Sequence, residues 1–228
     1  MINLPSLANC NFLDMDQQIE QLVFGGVKMV HIDIMDGHYV PNLCFPLKLI
    51  RNIKERYPGL KTDVHLMVDD PQNYILPLKE NGADYVSFHI DSTPFVIRTL
   101  ISIKNAGMKC GVVINPSQHV NLITPYCELL DYAVLMTVEP GFAGQLFLEN
   151  QLDRVRELAA IRDKAEKDFL ISIDGGISYA NAEECLARGA DMLVTGIYVV
   201  FNQPDGIANA CRRFEEKMGT VPHTVREI

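Results

Sequence analysis

Short apolar runs alternate with longer amphipathic stretches along almost the whole chain, and this alternation constrains the fold more than any other feature. The strand candidates are residues 2–8, 29–34, 61–67, 85–89, 110–114, 132–137, 170–173 and 192–195. Several are apolar almost throughout, the pattern of strands covered on both faces. Between them lie helix candidates at 14–24, 47–57, 71–81, 94–105, 150–167 and 179–188. Pro71 and Pro94 sit near first-turn positions, where a missing N–H removes no helical bond. Gly26, Gly82, Gly107 and Gly189 each fall between a helix candidate and the next strand, where a left-handed cap would return the chain. Eight strands, each followed by helical pattern, in 228 residues is the arithmetic of a (β/α)8 TIM barrel. A doubly wound sheet would want a Gly-x-Gly-x-x-Gly after the first strand, and residues 7–12 contain no glycine. No linker or low-complexity tract interrupts the pattern. Residues 1–228 therefore read as one domain, with 220–228 as a flexible tail.

Charge and composition remove several function classes. Lys and Arg number 20 against 29 Asp and Glu, a net −9, with 48% hydrophobic and 21% charged residues. That acidic balance argues against a nucleic-acid groove or an anionic membrane surface as partner. No apolar run reaches the roughly 20 residues of a membrane span. The start, Met-Ile-Asn-Leu-Pro, lacks the basic and apolar regions of a signal peptide, so the expected location is the cytoplasm. Cys10, Cys44, Cys110, Cys127, Cys185 and Cys211 form no Cys-x-x-Cys pair and fit no zinc-ribbon spacing. All six read as structural thiols.

In a barrel the chemistry sits where strands end. The second strand carries His31 and Asp33, the third Asp63, His65 and Met67, and the seventh ends at Asp174. Side chains two apart on a strand share a face. If that face is the interior, His31, Asp33, His65 and Asp174 converge near the mouth. Two imidazoles and two carboxylates suit one divalent ion, zinc first, with manganese, iron(II) or cobalt also acceptable. Two carboxylates buried together without a cation would be costly. Asp36 and His38 lie beyond the strand, and Asp36 reads as a turn former. His89 ends the fourth strand and reads as a satisfied core or rim histidine.

Glycine-rich turns follow the last three strands: Gly141-Phe142-Ala143-Gly144, Gly175-Gly176 and Gly196. Glycines let backbone N–H groups close on an anion, and barrels often hold phosphate in these loops. A phosphorylated substrate is expected. Met35, Met67 and Met136 would give the mouth a soft apolar floor that excludes water.

Four segments, His-Ile-Asp-Ile-Met-Asp-Gly-His-Tyr-Val-Pro-Asn at 31–42, Asp-Val-His-Leu-Met-Val at 63–68, Met-Thr-Val-Glu-Pro-Gly-Phe-Ala-Gly-Gln at 136–145 and Asp-Gly-Gly-Ile at 174–177, closely resemble the ribulose-phosphate 3-epimerase family. The order and spacing hold from Pro5-Ser6 to Phe201. The resemblance implies a TIM barrel that binds one catalytic divalent metal, usually zinc, and interconverts ketose phosphates differing at C3, with no organic cofactor. It makes His31, Asp33, His65 and Asp174 the metal ligands, and Asp33 and Asp174 the acid/base pair working through a metal-stabilised enediolate. It places Ser6, His65 and the three methionines against the substrate, and Gly141–Gly144, Gly175, Gly176, Gly196 and Ile197 around its phosphate. It also implies a homo-oligomer.

Two departures bear on specificity. Ile197 stands where the family commonly has Ser or Thr after the last strand's glycine, and the first strand runs Pro-Ser-Leu-Ala-Asn rather than through a Ser-Ala-Asp stretch. That start and the 136–145 loop also resemble the related allulose-6-phosphate 3-epimerase, so D-ribulose 5-phosphate and a six-carbon ketose phosphate both stay open. A Schiff-base aldolase would need a lysine at a strand end, whereas Lys28, Lys61 and Lys109 all fall at strand beginnings. A decarboxylase of the orotidine-phosphate type would want Asp-x-Lys-x-x-Asp, which is absent. A catalytically silent sugar-phosphate-binding barrel is the remaining alternative.

Overall fold

The computed structural model describes residues 1–222 and Arg226. Eight parallel strands form the barrel wall: β1 (Ile2–Pro5), β2 (Met29–Asp36), β4 (Lys61–Met67), β5 (Tyr85–His89), β6 (Lys109–Ile114), β7 (Tyr132–Met136), β8 (Leu170–Asp174) and β9 (Met192–Thr195). A two-residue strand, β3 (Leu43–Cys44), runs antiparallel to the end of β2. Around the barrel the order is β1-β9-β8-β7-β6-β5-β4-β2, and a lone parallel bridge between Ser6 and His31 joins β1 to β2. The helices are α1 (Met15–Phe24), α2 (Lys48–Arg56), α3 (Ile75–Asn81), α4 (Val96–Asn105), α5 (Gln151–Arg162), α6 (Tyr179–Ala187) and α7 (Ile207–Gly219). The expected TIM barrel is what the chain forms.

The two-residue period divides the core in two. Val30, Ile32 and Ile34 of β2 and Val64 and Leu66 of β4 face outward, into the large core shared with the helices. Met29 of β2, Tyr132, Val134 and Met136 of β7, and Leu170 of β8 fill the interior. The same inward parity carries His31, Asp33, Asp63, His65 and Asp174. Tyr132 is the largest fully buried side chain, and it sits beside Gly111 in register. A Cβ on Gly111 would stand 2.7 Å from the Tyr132 ring, so the glycine makes room for that ring.

Local chemistry explains where elements deviate from their sequence pattern. The first strand stops at Pro5 rather than running to residue 8, because Ser6 caps a 3-10 turn over Leu7–Asn9 and its Oγ accepts from the Ala8 N–H. Pro71 opens a 3-10 turn that runs into α3, while Pro94 lies just outside α4. The stretch expected to be helical to residue 167 stops at Arg162. There the guanidinium turns inward to Asp191 at 2.7 Å, while the Lys167 amine donates to the Leu130 carbonyl. Between β6 and β7 the chain forms a 3-10 segment, Val120–Leu129, with Pro125 inside it, in place of an α-helix. Gly26, Gly82, Gly107 and Gly189 all take positive φ, as the returns to strands require. The six cysteines are free, and five are buried.

Among the described residues no helix is long and apolar enough to cross a membrane. Of the expected 220–228 tail, Arg226 pairs with Asp168 and Asp191, whereas residues 223–225, 227 and 228 lie outside the described residues. Gly111→Ala is predicted to cost about 1–3 kcal/mol by crowding Tyr132. Urea unfolding measures this, and an unchanged midpoint would show that the ring has room to move.

Candidate active site

At the C-terminal mouth, β2 supplies His31 and Asp33, β4 supplies His65 and β8 supplies Asp174. One ligand-type atom from each lies within 4.8 Å of all the others. His31 Nε2 is 3.4 Å from Asp33 Oδ1 and 3.4 Å from Asp174 Oδ2. His65 Nδ1 is 3.6 Å and 3.3 Å from the same two oxygens. Both imidazoles are fully buried. Neither His31 Nε2 nor His65 Nδ1 has a hydrogen-bond partner, although both are enclosed.

This donor set fits a divalent cation. Four ligands placed tetrahedrally at roughly 2.0–2.1 Å from an ion stand about 3.3–3.4 Å apart, close to the His–Asp separations here. Two carboxylates also balance the charge of one such ion. The protein's own field points the same way. Burial alone would lower the His31 pKa, but Asp33, Asp174 and Asp63 more than reverse that and hold it well above the usual range. His65 is raised against its burial by Asp174 and Asp33. Burial would raise Asp33 and Asp174, yet the two imidazoles hold both carboxyls below their usual value. The carboxylates thus draw positive charge toward one point.

His31 and Asp33 are each held from behind. His31 Nδ1 lies 2.7 Å from Asp63 Oδ2, and the Tyr132 hydroxyl donates to Asp63 Oδ1 at 2.6 Å. With Nδ1–H directed at Asp63, His31 keeps its Nε2 lone pair for the cluster. The Ser6 hydroxyl donates to Asp33 Oδ2 at 2.8 Å, leaving Oδ1 facing the imidazoles. Asp36 accepts from the His38, Tyr39 and Asp69 N–H groups and so builds the turn after β2, as its position suggested.

One cavity, of about 630 Å³ including its open side, lies over the cluster. Its floor is Ser6, Asp33, Met35, Met67, Met136 and Asp174. One wall is Gly141, Phe142, Ala143 and Gly144 with Gly175, Gly176, Gly196 and Ile197. His31 and His65 lie beneath the floor with no exposed surface, so both reach the cavity only through the cluster. Gly175 has φ +125° and a Cβ there would meet Val138 at 2.6 Å, so only glycine fits. Gly196 has ordinary backbone angles. A Cβ there would meet the Asn9 side chain at 3.0 Å, so its reason is close approach.

The 139–145 loop is braced from three directions. Asn42 donates to the Gly141 carbonyl at 2.7 Å, Tyr198 to the Gly144 carbonyl at 2.8 Å, and Gln145 to the Glu139 carbonyl at 2.6 Å. Sequence reasoning missed Asn9, Asn42, Tyr198 and the bracing roles of Asp63 and Tyr132. Only Asp63 carried a signal, its inward parity with His65. Lys61 and Lys109 begin β4 and β6, away from the mouth, which leaves no Schiff-base lysine there.

The fold is a TIM barrel, and the candidate site lies at its C-terminal mouth. Residues 2–200 match the model of the ribulose-phosphate 3 epimerase family. A ribulose-phosphate 3-epimerase of Aquifex aeolicus is 39% identical over 84% of this chain and 86% of its own length. One of Bacillus subtilis is 38% identical over 88% and 92%. Among solved structures, 3-hexulose-6-phosphate synthase from Salmonella typhimurium superposes with TM-score 0.73 at 18% identity, covering 97% of this chain and all of that one, which speaks to the fold alone. The chain belongs to the ribulose-phosphate 3-epimerase family, and it is a carbohydrate epimerase.

Asp63→Asn is predicted to weaken Zn²⁺ binding about 10–100-fold by removing the anionic partner of His31. Competition against a chromogenic chelator reads this directly, and undiminished binding would show that Asp63 does not govern His31.

Proposed function

We propose that the chain epimerises D-ribulose 5-phosphate at C3 to D-xylulose 5-phosphate, with Asp33 and Asp174 as the proton-transfer pair. The observation that carries this reading is the placement of two carboxylates from non-adjacent strands at the floor of one glycine-walled cavity, each with one oxygen turned to the imidazoles. The ribulose-phosphate names of relatives at 38–39% identity support the five-carbon substrate. We read residues 1–228 as a single catalytic barrel.

The C3 proton of a 2-ketose is acidified by the neighbouring carbonyl, but the anion left behind is too basic to form unaided. A divalent ion such as zinc, held by His31, Asp33, His65 and Asp174, would supply Lewis-acid stabilisation of that charge. One aspartate removes the proton from one face and the other returns a proton to the opposite face, which inverts the centre. In the reverse direction the two exchange roles. Ser6 fixes the Asp33 carboxylate by donating to Oδ2. Asp174 Oδ1, the oxygen not aimed at the imidazoles, is the position for its proton. Met35, Met67 and Met136 keep bulk water from the anion. The wall of Gly141–Gly144, Gly175, Gly176 and Gly196 takes the phosphate through backbone N–H groups, with Ile197 contributing packing and no hydroxyl.

Proton exchange in D2O, followed by NMR on zinc-loaded protein, tests the reading. Deuterium entering C3 of ribulose 5-phosphate with formation of the epimer is expected. Faster exchange with allulose 6-phosphate would move the substrate to the six-carbon ketose. No exchange with either, in protein holding stoichiometric metal, would overturn both substrates and point to another ketose phosphate or to a silent binding barrel. Asp174→Asn is predicted to lower kcat about 10²–10⁴-fold with the fold intact, and near-normal turnover would remove Asp174 from the mechanism. Ile197→Ser is predicted to lower KM about 2- to 10-fold, the worth of one added hydrogen bond. An unchanged KM would put the phosphate elsewhere.

A further inference from the structure

The two imidazoles of the cluster are supported differently. His31 is backed by a carboxylate, but behind His65 stands another imidazole: His65 Nε2 and His89 Nε2 are 2.8 Å apart. Both rings are fully buried and meet edge to edge through these nitrogens, with centroids 4.9 Å apart and planes 28° from parallel. His89 in turn packs at a tilt against Tyr39, with ring centroids 4.5 Å apart, and the Tyr39 hydroxyl is fixed by donating to Asp91 at 2.9 Å and accepting from Asn115 at 2.7 Å. The His89 ring is therefore held at its edge by His65 and against one face by Tyr39.

Two facing ring nitrogens at hydrogen-bond distance share one proton, which permits two arrangements. In one, His65 carries its proton on Nε2 and donates to His89, which leaves the His65 Nδ1 lone pair aimed at Asp33 and Asp174. In the other, His89 donates, and a neutral His65 carries its proton on Nδ1, where it blocks that position. Only the first leaves His65 able to ligate a cation. It also requires a neutral His89 with its proton on Nδ1.

We propose that His89 is a positioning residue that sets the tautomer of His65 and thereby opens the fourth corner of the metal site. The role extends the reading that the cluster holds a divalent ion and rests on it. His89 touches neither substrate nor ion. It acts as a hydrogen-bond acceptor held in place by its packing against Tyr39. Because that acceptor is neutral where Asp63 is anionic, His65 is oriented without the added basicity that Asp63 gives His31.

The test compares Zn²⁺ affinity, by chelator competition, of wild-type protein, His89→Phe and His89→Gln, with circular dichroism and thermal melting on each. Phenylalanine fills the space but cannot accept, whereas glutamine offers an amide oxygen. His89→Phe is expected to bind Zn²⁺ about 10–100-fold more weakly, and His89→Gln to recover most of that loss. Wild-type affinity in the phenylalanine variant would overturn the proposal. Equal weakening in both folded variants would overturn it too, since packing alone would then account for the loss. Should His89→Phe not fold, ¹⁵N–¹H NMR of zinc-loaded wild-type protein decides: a proton on His65 Nε2 and on His89 Nδ1 supports the proposal, and a proton on His65 Nδ1 overturns it. Wild-type protein that binds no Zn²⁺ would overturn the metal reading itself. Normal wild-type binding with an indifferent His89 would overturn only this inference.

Discussion

Two carboxylates brought to within 3.3–3.6 Å of two buried imidazoles, at the mouth of a closed barrel, set the terms for everything around them. Such a concentration of charge is costly in a low-dielectric interior unless every lone pair and proton has a stated place. The surroundings supply those places in layers. Asp63 takes His31 Nδ1, Tyr132 takes the other oxygen of Asp63, and Ser6 takes the free oxygen of Asp33. Gly111 exists in this arrangement because the Tyr132 ring must cross the barrel to reach Asp63. A backbone choice on β6 is thus tied, through one aromatic ring and one carboxylate, to the orientation of a ligand on β2.

The opposite side of the cavity is organised by backbone rather than charge. Its glycine turns present main-chain groups, and their shape is maintained by Asn42 and Tyr198 from distant loops and by the Gln145 amide within the 139–145 loop itself. This division suits an acidic protein that handles a phosphorylated substrate. Basic side chains near the paired carboxylates would compete for them, whereas N–H dipoles do not.

Much of this was legible in the sequence because two simple periods carried it. The strand period placed His31, Asp33, His65 and Asp174 on one face, and the helix–glycine–strand rhythm counted the barrel. What escaped was set by contacts between residues far apart in the chain. Nothing in Tyr132 itself announces that its hydroxyl meets Asp63, 69 positions away. His89 read as a satisfied core or rim histidine because its partner, His65, stands on a neighbouring strand. It proved only half satisfied, with Nε2 engaged and Nδ1 buried without a partner. Ser6 looked like a strand residue that meets substrate, but as a 3-10 cap its hydroxyl also reaches Asp33. Helix α7 was absent from the helix candidates despite its buried stripe of Ile207, Ala210, Cys211, Phe214 and Met218. The stretch past Arg162 was read as helix because its residues favour one locally, and it is the inward pull of Asp191 that ends it.

The way the barrel closes has a consequence for how the site comes into being. Strand β1 finds its main partner in β9, with Ile2 beside Met192 and Pro5 beside Thr195, and touches β2 only through the bridge between Ser6 and His31. During synthesis His31, Asp33 and His65 emerge early, but Asp174 and the strand that seats Ser6 come only near the end. The chain therefore spends most of its translation with an incomplete set of ligands and an unpaired first strand. Such late, long-range closure is slow and exposes strand edges on the way. Assembly of the candidate ion site in this sense waits on late-emerging segments, since Asp174 lies on β8 and β9 pairs with the strand that leads into Ser6.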